Sequence, residues 1–261
     1  MPSYEGNRQI HNDLLTILKK FDLICRKNKI KYSLHGGTLL GCIRESGFIP
    51  WDDDVDVSMT RSEFNKIKRV LGNNSELIID EETNPFPQVW LEIRGREPVW
   101  LDIFVWDYIT ENKLLQKLKI AIMCFFLAFL KTPKTMHLSM TSKKYTGIKR
   151  GAIYVIYLLG RLFPNRLKHA WANWTEQRIT GSRKYIHRSN DLYAGMKLIL
   201  PSYVMDEYEN KEFEGELLMV SKYHNEILTS SYGSNYMTPV KMTDDEISTH
   251  ALARKIHQAN K

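Results

Sequence analysis

The run Asp52-Asp53-Asp54-Val55-Asp56-Val57-Ser58-Met59 restricts this chain more than any other stretch. From Asp54 onward acidic and apolar residues alternate at period two, the pattern of a strand buried on one face. Residues two apart on a strand point the same way, so Asp54 and Asp56 aim both carboxylates to one side while Val55 and Val57 face a core. Asp52 has the same parity if the strand begins that early. Carboxylates side by side repel unless a cation holds them. Oxygen-only ligands at this spacing suit Mg²⁺ or Mn²⁺, which also bind substrate phosphates. A solvated acidic loop would not need the valines.

A third acid has a similar setting. Asp102 lies in Val99-Trp100-Leu101-Asp102-Ile103-Phe104, where a lone buried charge would be costly. If that strand pairs beside the first, the carboxylates of Asp54, Asp56 and Asp102 converge on one or two ions, and Asp102 becomes the candidate base for an attacking hydroxyl. Upstream, Gly36-Gly37 breaks a short strand over 31–34 and opens a helix reaching residue 45. Glycines let backbone N–H groups approach a phosphate, and the helix start offers its positive end.

Elsewhere, apolar periodicity predicts a helix over 9–28, and Thr60-Arg61-Ser62-Glu63 is a capping box opening a helix to residue 71. Strands are expected at 77–79, 88–93 and 99–106, and helices at 112–130, 154–163, 166–180 and 220–230, the last ended by Gly233. The fold class is α+β: 110 residues mixing helices and short strands, then a mainly helical portion. The net charge is +7, yet residues 111–190 hold sixteen Lys and Arg against two acids, a local +14 that leaves −7 for the rest. This divides the chain into a catalytic core over 1–110, a basic helical lobe over 111–190, and a segment over 191–261 packing back on the core. The apolar runs 120–130 and 153–159 are framed by Lys113, Lys117, Lys119, Lys131, Lys134, Lys149, Arg150 and Arg161, which reads as an element for an anionic membrane surface or acceptor. The longest apolar run is too short to span a bilayer. A polar first stretch and three cysteines at no disulfide or metal spacing point to the cytoplasm, with a peripheral contact at the inner face of the membrane. No groove-reading or base-stacking fingerprint is present, so no nucleic acid partner is expected.

Residues 34–57 together with Trp100-Leu101-Asp102-Ile103-Phe104 resemble the LicD family, relatives of fukutin within the nucleotidyltransferase superfamily. The likeness recurs more loosely at Phe213-Glu214-Gly215 and from Tyr232 to Pro239. It implies a small mixed β-sheet nucleotidyltransferase core flanked by helices. The implied activity is transfer of phosphocholine, or a related phospho-alcohol, from CDP-choline to a hydroxyl of a cell-surface glycan, lipooligosaccharide or teichoic acid in type, with release of CMP. By match of motif, Gly36, Gly37 and Thr38 take the donor phosphates, and Asp54, Asp56 and Asp102 hold Mg²⁺. Arg44 falls where the family keeps an arginine, a candidate phosphate contact. Trp51, next to the acids, and Trp90, Trp100, Trp106 and Tyr108 are all candidates for the aromatic face that a quaternary ammonium prefers. Glu45 replaces a usual histidine, and Val105-Trp106-Asp107 replaces Pro-Leu-Asp. Two other readings stay open. One is a nucleotidyltransferase that gives a nucleoside monophosphate to a small molecule; the other is a non-enzymatic basic protein binding a membrane or nucleic acid.

Overall fold

In the computed structural model, which describes residues 4–73, 76–81, 86–141 and 147–239, the acidic strand is one of seven in a single mixed sheet. The first helix, α1 (Tyr4–Lys27), precedes a two-residue strand β1 (Ser33–Leu34), then α2 (Gly36–Glu45), β2 (Asp56–Thr60) and α3 (Arg61–Leu71). Strands β3 (Leu77–Asp80), β4 (Gln88–Leu91) and β5 (Val99–Ile109) follow, then the helices α4 (Lys113–Phe129), α5 (Pro133–Thr141), α6 (Gly147–Gly160) and α7 (Asn165–Glu176). The chain returns to the sheet through β6 (Tyr185–Arg188), α8 (Tyr193–Met196) and β7 (Ile199–Pro201). It then makes a hairpin of β8 (Tyr208–Phe213) and β9 (Glu216–Ser221), followed by α9 (His224–Tyr232). The fold is α+β.

The strand order is β1-β2-β5-β4-β3, with β6 also paired to β5 and β7 to β6. Among the described residues only the β2–β5 pairing of this sheet is parallel; the others are antiparallel. Strand β5 is long enough to pair with β4 through its first residues and with β6 through its last. Val55, Val57, Leu101 and Ile103 are fully buried, as the alternation requires, and meet Leu14, Ile17, Leu18 and Phe21 in one core cluster with α1. Helix α3 begins as its capping box predicts: the Thr60 hydroxyl accepts from the Glu63 N–H at 3.4 Å. The Asn112 side chain likewise accepts from the N–H groups of Leu114 and Leu115.

Three differences from the sequence reading have physical causes. The last helix starts at His224 rather than 220, because Val220 and Ser221 are buried residues at the end of β9. Strands β6 and β7 lie where no alternation marks them; Ile186 and His187 are both buried although adjacent. Cations of the basic stretch also turn inward. Lys119 is fully buried and donates to the Tyr108 carbonyl at 2.8 Å, and burial lowers its pKa to about 8. Lys168 is buried as well. Residues 142–146, with Lys143 and Lys144, lie outside the described residues.

A buried ionic group ties α7 to the sheet. Arg61, the first residue of α3, donates from Nε to Asp107 on β5 at 3.0 Å, from Nη2 to Glu176 at 2.7 Å and from Nη1 to Asn173 at 3.2 Å. Ser189 completes it through a hydrogen bond to Asp107. Burial pushes the Glu176 carboxyl up to about 7 against the pull of Arg61. The sequence left Asp107 without a role; it is the partner of Arg61.

Candidate active site

The acidic site is built where β1 turns into α2. Gly36 has φ +54°, and a Cβ there would stand 2.5 Å from Asp56 Oδ2. A Cβ on Gly37 would stand 2.5 Å from Asp52 Oδ2. The two glycines are therefore needed so that two carboxylates can press against the first turn of the helix. Residues on either side fix the start of β2: the His35 N–H donates to the Asp56 carbonyl at 3.0 Å, and the Asp56 N–H donates to the buried Thr38 hydroxyl at 2.9 Å. Gly36→Ala should cost about 1–3 kcal/mol, because a side chain is forced into a left-handed conformation and onto Asp56. Urea unfolding of the variant measures this; a midpoint equal to the wild type would show that the turn relaxes freely.

Asp102 faces Asp56 in register across the parallel pair β2–β5. Its Oδ1 accepts from Gln88 Nε2 at 2.6 Å, and its N–H donates to the Val55 carbonyl. Burial, followed by the charges of Asp54, Asp102, Asp52 and Asp191, drives the Asp56 carboxyl well above the ordinary carboxylate range. The structure thus brings together Gly36, Gly37, Thr38, Asp54, Asp56 and Asp102. Asp54 lies two residues ahead of β2, outside the regular strand.

Two other expected residues stand differently. Arg44 lies in the last turn of α2, about 12 Å of helix rise from Gly36. Its Nε pairs with Glu45 at 2.8 Å, so the structure does not bring it to the acids. Trp51 is half-buried and packs against the main core immediately before Asp52.

Several neighbours of the acids went unread in the sequence. Arg188, the last residue of β6, donates from Nη1 to His35 Nε2 at 2.6 Å, pairs through Nε with Asp191 at 2.8 Å, and lies 5.7 Å from the Phe104 ring centre. His35 is buried against Phe104 and Trp106; burial and then Arg188 hold its pKa well below the usual value, so it is neutral and accepts at Nε2. Asn190 takes the place of a strand partner for β5, donating to the Ile103 carbonyl at 2.9 Å and accepting from the Val105 N–H at 2.8 Å. That anchors the polar run Arg188-Ser189-Asn190-Asp191 beside the acids. Its signal in the sequence was this run of polar residues after an apolar one, which says nothing until β6 is placed on β5. Tyr232, at the end of α9 and about half exposed, is another neighbour: partial desolvation and the charges of Asp56 and Asp52 raise its phenol.

No three His, Cys, Asp or Glu side chains among the described residues converge as a ready chelating group. The donors present are carboxylate oxygens facing each other across adjacent strands, with the repulsion that raises Asp56. They fit a hard divalent cation, which takes one or two carboxylates and completes its shell with water and substrate phosphate.

A parallel strand pair with facing carboxylates, packed on a glycine-opened helix, fits the nucleotidyltransferase core that the family resemblance implies. Residues 29–145 match the family model described as LicD/FKTN/FKRP, nucleotidyltransferase domain. The chain is 30% identical over 254 residues to the lipopolysaccharide cholinephosphotransferase LicD of Haemophilus influenzae, covering 86% of this chain and 89% of that protein. It is 25% identical over 92 residues to the human ribitol 5-phosphate transferase FKRP, covering 34% of this chain and 19% of that protein. The chain belongs to the LicD family.

Proposed function

We propose that this protein is a metal-dependent phosphotransferase that moves phosphocholine from CDP-choline to a hydroxyl of a cell-surface glycan, with release of CMP. The observation that carries this reading is the facing pair Asp56 and Asp102 beside the Gly36–Gly37 turn, in a chain with a cholinephosphotransferase as its relative over most of its length. In the reaction the acceptor oxygen bonds to the phosphorus that carries choline. The bond from that phosphorus to the bridging oxygen breaks, and CMP leaves with the bridging oxygen and its electron pair.

Asp54, Asp56 and Asp102 would hold Mg²⁺ or Mn²⁺, which would offset diphosphate charge when bound. The first turn of α2, at Gly36, Gly37 and Thr38, receives the donor phosphates on its backbone N–H groups. Asp102, steadied by Gln88, orients the acceptor hydroxyl and takes up its proton. Trp51 is the aromatic candidate for the choline ammonium. Arg44 keeps a donor role only if its pair with Glu45 opens.

The test is to offer the purified protein CDP-choline, CDP-ethanolamine, a CDP-polyol and CTP, with a glycan acceptor, with and without chelator. CMP released from CDP-choline, and lost on chelation, supports the reading. Pyrophosphate released from CTP instead would favour nucleotidyl transfer.

The acceptor, lipid-linked in this reading, is met at a cytoplasmic membrane face. None of the described helices is long and apolar enough to cross a membrane. Around α6, however, Ile148 is 92% exposed, Val155 56% and Leu162 75%, with Leu158 and Leu159 also open. Lys149, Arg150, Arg161 and Arg166 alternate with them. Apolar side chains that enter the interface among cations that stay in the headgroups suit a peripheral contact with an anionic leaflet. Flotation with vesicles should show binding that rises with anionic lipid content and falls with salt. Protein that stays unbound at low salt would mean that these residues serve some other contact.

A further inference from the structure

An anionic diphosphate must enter a site crowded with carboxylates, where a cation of the protein would add to the charge that a bound metal offsets. Arg44 is turned to Glu45, and Arg61 is held by Asp107, Glu176 and Asn173. Arg188 is placed otherwise. Its ion-pair partner Asp191 is one of the carboxylates whose charge bears on Asp56. Its Nη1 contact, His35, is the residue directly before the Gly36–Gly37 turn. The guanidinium is therefore anchored between the turn and the acids.

Its remaining reach is the important point. Nη1 meets His35, and Nε lies 2.8 Å from Asp191 as an ion pair but makes no hydrogen bond; Nη2 has none among the described residues either. Beside Nη2 the chain has Gly195: a Cβ there would overlap the Asp191 carboxylate and stand 2.8 Å from Nη2. The missing side chain keeps the pair and the Nη2 edge unobstructed. The guanidinium carbon lies 5.7 Å from the Phe104 ring centre, and with Nη1 and Nε turned to His35 and Asp191 its two Nη2 N–H groups are left to meet phosphate oxygens, in a fixed plane that a lysine cannot copy.

We infer that Arg188 is a catalytic residue that binds the donor's diphosphate through Nη2 and steadies the leaving CMP, an inference that rests on the phosphotransfer reading above. As the bond to the bridging oxygen breaks, negative charge grows on the CMP phosphate, and Arg188 meets it without moving far. His35 and Asp191 act as positioning residues that fix the plane of the guanidinium.

The full-length protein is assayed as wild type, Arg188→Ala and Arg188→Lys, for CMP release from CDP-choline and for binding of CDP with Mg²⁺. Arg188→Ala should lose about a hundredfold or more in kcat/KM, the worth of a preorganised donor to a developing charge. Added guanidinium ion should restore part of that rate, which a merely structural defect would not allow. CDP should bind the alanine variant about tenfold more weakly, in line with one lost charge-assisted hydrogen bond. If the alanine variant does not fold, Arg188→Lys decides: it keeps the charge without the guanidinium plane and should remain well below wild-type kcat/KM. Wild-type kcat/KM in Arg188→Lys, or unchanged CDP affinity in a folded Arg188→Ala, overturns the assignment. If the wild type itself releases no CMP from CDP-choline, the phosphotransfer reading fails separately. The CDP titration then judges Arg188 alone: weaker binding supports it as a nucleotide-phosphate ligand, and equal binding overturns it.

Discussion

Asp56→Asn should lower phosphocholine transfer by roughly a thousandfold, the scale of removing a preorganised charge from a transition state, and leave the metal-free protein at least as resistant to urea as the wild type. The two effects have one cause. Asp56 is the buried carboxyl on which Asp54, Asp102, Asp52 and Asp191 all act, so its ionised form is held against strong repulsion. An amide keeps the shape and the contact with the Gly36 turn, removes the charge that repels, and replaces an anionic oxygen ligand by a neutral, weaker one. An ordinary structural acid would behave oppositely, losing stability when neutralised and leaving turnover alone. Activity and urea midpoint measured on the same preparation separate these cases. An active Asp56→Asn protein would remove the acid group from the chemistry.

The largest effect on stability should come from Arg61→Ala, about 3–5 kcal/mol at neutral pH, because it leaves Asp107 and Glu176 as buried carboxylates without their cation. The loss should depend on pH, with a definite sign. The Glu176 carboxyl is raised in the folded wild type from 4.5 to about 7, and without Arg61, which lowers it, the folded value rises further. A carboxyl whose folded pKa exceeds its unfolded one adds no penalty below the unfolded value and a growing penalty as pH rises through the window between the two. Wild type and variant share that penalty up to about pH 7, so the Glu176 part of the deficit should be absent toward pH 4.5 and should widen only as pH rises above about 7. Chemical denaturation below and above that value checks it. A deficit that is constant with pH would mean lost packing of the arginine stem, not unpaired charge.

The parts of this site legible in the sequence are those written in short-range pattern. Alternation at Asp54 to Met59 gave the buried faces of Val55 and Val57, the capping box fixed the start of α3, and Asp102 stood out as an acid between apolar neighbours. Even the need for Gly36 and Gly37 was visible, although the immediate reason is clearance for Asp56 and Asp52. What stayed hidden depends on pairing across long stretches of chain. Arg188 and Asp191 reach the acids only because β6 returns to β5, and four residues with two adjacent buried side chains do not declare a strand. Arg44 shows the reverse: its type and motif position suggest a phosphate contact, whereas its place in the last turn of α2 sets it on Glu45. Lys119 counts as a surface cation by charge alone, whereas its position on α4 turns it to the Tyr108 carbonyl.

The central claim is that the phosphorus next to choline, and not the nucleotide, passes to the acceptor. It is tested most directly with CDP-choline radiolabelled only at that phosphorus, incubated with the protein, Mg²⁺ and glycan. The proposed reaction puts the label on the glycan and releases unlabelled CMP, and neither occurs with Asp56→Asn. Label that stays in the soluble nucleotide while cytidine appears on the acceptor would contradict it.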